Sequence, residues 1–133
     1  MSQENVEIVK RAGESLERRD WQAGTDLFDP NVELHGTVGG LEEGKVLHGV
    51  SEIIQAFDTE NDEVWDEHRI EPQEFIDAGD RVVVLQREYQ RSKAGAELVI
   101  DTATIVDLRD GRIVRIQGYM NPTEALEAAG LSG

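Results

Sequence analysis

Few side chains in this sequence could move a proton or grip a polar ligand, and those that could sit on stretches that alternate like strands. His35 closes the run Val32-Glu33-Leu34-His35, and an imidazole with an unperturbed pKa of about 6.5 suits a general base. Arg87 and Tyr89 stand two residues apart on the run Arg81 to Arg91 and therefore share a face. A guanidinium in an apolar pocket needs a carboxylate partner or an anionic or carbonyl-bearing ligand. Asp101, on a third run, is a further candidate base, and Thr102 and Thr104 beside it carry hydroxyls. The chemistry such a set would do is proton transfer next to a carbonyl, with His35 or Asp101 as base and Arg87 with Tyr89 polarising the oxygen. Each residue also has a plainer reading. His35 fits a surface or interface histidine, Tyr89 a core tyrosine with a satisfied hydroxyl, and Arg87 an ion pair with an acid such as Glu33 or a place on the outer sheet face.

Other chemistries lack their residues. With no cysteine there is no thiolate nucleophile, disulfide framework or cysteine-ligated zinc. His48 and His68 add little individually, and no His-x-x-x-His or Glu-x-x-His spacing occurs, so neither a metal nor a cofactor is expected. Gly36, Gly39, Gly40 and Gly44 do not open a helix after a strand as a phosphate-binding loop would. Thirteen Lys and Arg against 28 Asp and Glu give a net charge of -15, which disfavours nucleic acid and anionic membrane surfaces as partners. Neither a signal core nor an apolar run long enough to span a bilayer is visible, so a cytoplasmic protein is expected.

The elements that must position these residues follow from periodicity. At 133 residues one domain covering 1–133 is expected, with a single core. Val6, Val9, Ala12 and Leu16 recur at helical spacing in a first helix. Asp20 caps a short second helix carrying Trp21, Ala23, Leu27 and Phe28, which Asp29-Pro30 ends. Val32 and Leu34 make a short strand, and Gly36 to Gly44 reads as a mobile loop. Ser51 caps a third helix with Ile53, Ile54 and Phe57 on its buried stripe, extended by Val64 and Trp65. An extended stretch from His68 contains Pro72, which argues for a sheet edge. Arg81 to Arg91 and the hairpin Glu97 to Tyr119, turning at Asp110-Gly111, complete the sheet. Asn121-Pro122-Thr123-Glu124 starts a short last helix that Gly130 closes.

The segments Asn5-Val6-Glu7-Ile8-Val9, Phe28-Asp29-Pro30-Asn31-Val32-Glu33, Leu47-His48-Gly49, Phe75-Ile76-Asp77-Ala78-Gly79-Asp80-Arg81-Val82-Val83-Val84 and Leu108-Arg109-Asp110-Gly111-Arg112-Ile113-Val114, in this order of elements, carry a resemblance. The chain resembles the SnoaL-like, ketosteroid-isomerase-related branch of the NTF2-like superfamily. The resemblance implies an α+β cone. A curved, mostly antiparallel sheet wraps three helices from the N-terminal half, a short helix follows at the C-terminus, and a pocket lies at the open end. The acid-base residues of the ketosteroid isomerases fall near Gly36, Ala12 or Gly13, and Thr104, where this chain has none of them. Relatives often carry an aromatic residue at Gly13 and a histidine at Thr104, so their loss implies a larger or differently shaped cavity.

With Thr104 facing that pocket, alternation brings Thr102 with it, and the aligned strand sends Val83, Leu85, Arg87 and Tyr89 inward. Phe57 and Trp65 are expected to wall the same pocket. Val82, Val84, Val99, Ala103, Ile105 and Ile113 then form an apolar outer face, which predicts a homodimer. Three functions are compatible with this: a pocket for a small, mostly apolar metabolite, a proton-transfer enzyme (isomerase, cyclase or dehydratase) on a carbonyl compound, and a structural dimer. The missing acid-base residues favour the first.

Overall fold

The computed structural model describes residues 2–131, with side chains for residues 3–22, 24–56 and 67–131. Helix α1 (Ser2–Arg18) is followed by a single helical turn, α2 (Trp21–Gly24), and a 3-10 turn (Thr25–Leu27). Strands β1 (Phe28–Val38) and β2 (Val46–His48) precede helix α3 (Gly49–Val64). Then come β3 (Trp65–Asp77), β4 (Arg81–Ser92), β5 (Glu97–Arg109), β6 (Arg112–Tyr119) and helix α4 (Pro122–Ala128). The six strands form one sheet in the order β2-β1-β6-β5-β4-β3. Only β1 and β6 run parallel, and every other neighbouring pair is antiparallel.

Local chemistry accounts for the joints. Asp110 and Gly111 both take positive φ, 54° and 78°, as a two-residue turn between right-twisted strands requires. The Asn121 side chain accepts hydrogen bonds from the backbone of Thr123 and Glu124 with Pro122 at the first helical position, which starts α4. Pro72 lies on the edge strand β3, at a bulge between Pro72 and Glu74, where its missing N–H breaks no central ladder.

Both faces of the sheet are covered. On the inner face, Val9 and Ala12 of α1 and Ile53 of α3 pack against Val32, Val82, Val84, Val106, Leu108 and Ile113. On the outer face, Ala125 of α4, flanked by Leu126 and Ala129, packs on Val83, Ala103 and Ile105. Each fully buried valine or isoleucine contributes about 1.5–3 kcal/mol relative to exposure, so the two clusters together fix the sheet between its helices.

Three expectations change. First, β1 begins at Phe28 and runs to Val38, taking in the start of the segment Gly36 to Gly44 expected to be loop, and a strand not foreseen, β2, follows that segment. The bond from Gly36 N to Lys45 O, 2.9 Å long, holds that segment back against β1. Second, β4 presents the opposite parity. Val84 stands across from Thr104 and Gln86 across from Thr102, and partners directly opposite share a face. Val82, Val84 and Gln86 are therefore on the inner face, and Leu85, Arg87 and Tyr89 on the outer. Third, the expected apolar outer face dissolves: Val82, Val84 and Ile113 belong to the inner core, α4 covers Ala103 and Ile105, and only Val99 of that set is exposed.

Candidate functional site

A stripe of interlocked polar side chains crosses the otherwise apolar inner face from β3 to β5. His68 Nε2 lies 2.9 Å from Glu88 Oε1, and Gln90 Nε2 donates to the same oxygen at 3.3 Å. The Thr102 hydroxyl donates a short bond to Glu88 Oε2. Gln86 Nε2 donates to Thr102 Oγ1 at 3.1 Å, and the Thr104 hydroxyl donates to Gln86 Oε1 at 3.3 Å. Thr102 is 1 % exposed and Gln86 9 %, and the Glu88 side chain is 13 % exposed. The strands place these groups by register, with His68 opposite Gln90 and Gln86 opposite Thr102. On β6, Gly118 stands across from Thr104, and a Cβ at Gly118 would come 2.7 Å from the Thr37 hydroxyl. The Thr37 side chain of β1 thus fills the space over Gly118.

Burial pushes the Glu88 carboxyl up. Hydrogen bonds from His68, Thr102 and Gln90 outweigh it, and its pKa lies below the ordinary glutamate value. Glu88 is therefore an anion at neutral pH, with its neighbours turned towards it as donors. An imidazole held by such a carboxylate is an orientable acid-base group, and the threonines and glutamines make a hydrogen-bonding floor. Among the described residues no three His, Asp or Glu side chains converge as metal ligands.

The sequence candidates divide between the two faces. Thr102 and Thr104 are in the stripe. Arg87 is not: its Nε lies 2.9 Å from Asp101 Oδ1 on the outer face, a bond that raises the guanidinium pKa further. Tyr89 is on the same outer face, under the Arg69 guanidinium, 4.4 Å from its ring centre, and Leu85 packs into the cluster below α4. His35 is also outward. Its Nε2 lies 2.9 Å from Glu33 Oε1, the His48 Nδ1 is 3.8 Å from Oε2, and the bond to His35 lowers the Glu33 pKa against a smaller opposing effect of burial. His35, Arg87, Asp101 and Tyr89 therefore do not meet in one cavity with the threonines. Phe57 and Trp65 have side chains outside the described residues.

His68, Gln86, Glu88 and Gln90 are the residues that sequence reasoning missed. Along Gln86-Arg87-Glu88-Tyr89-Gln90 both parities are polar or aromatic, so alternation could not say which set faces in. At Gly36, near which the resemblance would put the acid of the ketosteroid isomerases, a side chain has no room. A Cβ there would run into the backbone carbonyl of Glu42. A separate crevice between the helices, lined by Leu16, Trp21, Phe28, Val50 and Ile53, has a volume of about 20 Å³, which suits one water rather than a metabolite.

The model of the SnoaL-like domain matches residues 9–116. No curated protein matches the chain. Among solved structures, TerC co-crystallised with polyporic acid is 26% identical with a TM-score of 0.77, the match covering 96% of this chain and 98% of TerC. An NTF2-like protein of unknown function from Burkholderia pseudomallei is 26% identical at a TM-score of 0.76, over 93% of this chain and 95% of the other. A protein with a ketosteroid isomerase-like fold from Catenulispora acidiphila, in complex with trimethylamine, is 19% identical at 0.71, over 94% and 93%.

Proposed function

The chain belongs to the SnoaL-like domain family, and from that footing we propose that it binds a small, mostly apolar organic molecule in a cone between the inner sheet face, α1 and α3. The observation that carries this is the stripe itself. Six polar side chains are locked together on an apolar face, where a purely structural core would gain more from aliphatic packing. Ligand pockets have this composition: apolar walls with a few placed polar groups. The co-crystal of TerC with polyporic acid supports the same reading for a relative that aligns along nearly the whole chain.

Binding is favoured over catalysis because Thr102 and Thr104 each spend their one hydroxyl hydrogen inside the network, which leaves neither to stabilise a developing oxyanion. The second reading, proton transfer on a carbonyl compound, rests on the His68–Glu88 pair. It predicts solvent exchange of carbon-bound hydrogen in a bound ketone, lost in His68→Ala. Pairing of two copies is proposed on a narrower basis than the sequence suggested, the exposed Val99 beside Tyr89 on the outer face, and light scattering tests it. Ligand-observed NMR with a panel of small uncharged aromatic compounds tests the main proposal. Saturable binding that disappears in Gly13→Trp supports it, and a panel without one saturable binder overturns it.

A further inference from the structure

We propose that the inner-face site selects ligands carrying a hydrogen-bond donor, an apolar molecule with a hydroxyl group, and that the acceptor is Thr104 Oγ1. This rests on the inner face being a ligand site, and it names the chemistry that the site would read.

The polarity of the stripe follows from one charge. An ionised carboxylate only accepts hydrogen bonds, so Thr102, bonded to Glu88 Oε2, must donate. A hydroxyl has one hydrogen. Having given it to Glu88, Thr102 meets its other neighbour, Gln86, as an acceptor, which fixes the Gln86 amide nitrogen on Thr102 at 3.1 Å. The Gln86 carbonyl oxygen is then the end that faces Thr104, 3.3 Å away. Turning the amide over would bring its oxygen against the Thr102 oxygen with no hydrogen between them. Thr104 in turn gives its only hydrogen to Gln86, and what its oxygen has left is lone pairs. The charge on Glu88 is thus relayed through three side chains and sets the sign of the contact offered at Thr104.

Thr104 is placed to use it. Its neighbours on the same face, Val84 and Val106, are buried at 6% and 5% exposure, yet Thr104 is only half-buried. Across from it on β6 stands Gly118, which has no side chain of its own and whose side-chain space is taken by Thr37 of β1. A carbonyl or ether oxygen arriving there would meet lone pairs, or would have to strip the hydrogen from the buried Gln86. A hydroxyl finds a ready acceptor.

Titration calorimetry with 2-naphthol and 2-methoxynaphthalene tests this on the full chain. The parent protein is expected to bind the naphthol about tenfold more tightly than its methyl ether, the value of one net hydrogen bond. Thr104→Val removes the oxygen and should bring the ratio to about one, while Thr104→Ser, which keeps it, should preserve the preference. Glu88→Gln should also erase the preference, since a carboxamide can donate to Thr102 and let the chain of bonds reverse. Equal binding of the two compounds by the parent protein overturns the proposal and leaves the ligand site standing. A preference that survives Thr104→Val or Glu88→Gln overturns the assignment to Thr104 or the relay. Binding of neither compound overturns the inference, and the reading it rests on falls with it only if the wider panel of aromatic compounds also gives no saturable binder.

Discussion

Arg87 faces Asp101 directly across the β4–β5 register, its Nε 2.9 Å from Oδ1, on the sheet face away from α1 and α3. Both side chains are well exposed, at 44% and 61%. An ion pair so open to water adds little to stability. Arg87→Ala should therefore shift the denaturant midpoint only slightly and leave the affinity for inner-face ligands unchanged. A loss of ligand binding in that variant, measured by calorimetry, would return Arg87 to the site.

Glu88 makes stability depend on pH. Its folded pKa is depressed, so the folded form binds its proton less readily than the unfolded chain. That contribution is fully present above the unfolded glutamate value of about 4.3 and is lost as pH falls through the lower folded value. Glu33, also depressed by its bond to His35, adds to the same window. Glu88→Gln should flatten the acid limb of a stability-versus-pH curve while costing about 1–3 kcal/mol at neutral pH, because a charged acceptor with several donors is replaced. An acid limb of unchanged slope would show that the carboxylate is not held as described.

Gly36 is irreplaceable for a steric reason. Its missing side chain leaves the space that the Glu42 backbone occupies, its N–H bonds to Lys45 O at 2.9 Å, and its carbonyl accepts from Gln117 at 2.7 Å. Gly36→Ala must push a backbone segment away, and overpacking of that kind costs about 1–3 kcal/mol or more. Hydrogen exchange should show the segment from 39 to 45 opening in the variant. A variant as stable and as protected as its parent would contradict the packing.

How far the sequence reaches depends on what covers each face. The hairpin was legible because Asp110-Gly111 has one favoured turn and the flanking residues alternate. Asn121-Pro122 announced α4 through its cap. The facing of β4 was not legible, because Val82, Val83 and Val84 are all buried, at 0%, 0% and 6% exposure. The helix core lies on one side of them and α4 on the other, so the period-two signal vanishes, and a one-residue error in parity exchanges every inner and outer residue. That single ambiguity moved Arg87 and Tyr89 into the pocket and kept Glu88 out. His68 and Glu88 are twenty residues apart, and only the β3–β4 register joins them. The cover that α4 gives the outer face depends on long-range docking, which the short run Ala125-Leu126 does not announce by itself.

Gly13 separates stability from binding in a single position. It lies within α1, four residues after Val9 and three before Leu16, at an exposed position, and no described atom stands within 4 Å of a Cβ built there. An interior helical glycine costs about 1 kcal/mol relative to alanine, and nothing local requires the glycine backbone, since its φ is not positive. Gly13→Ala should therefore raise the melting temperature by roughly 4 °C, with ligand affinity kept. Gly13→Phe should keep the fold but place a ring where the bound molecule would lie, weakening binding by at least about tenfold, or about 1.4 kcal/mol. Calorimetric melts and titrations on the two variants check this together. If the alanine destabilises, the space beside α1 is already filled; if the phenylalanine binds ligand as well as its parent, that space is not part of the site.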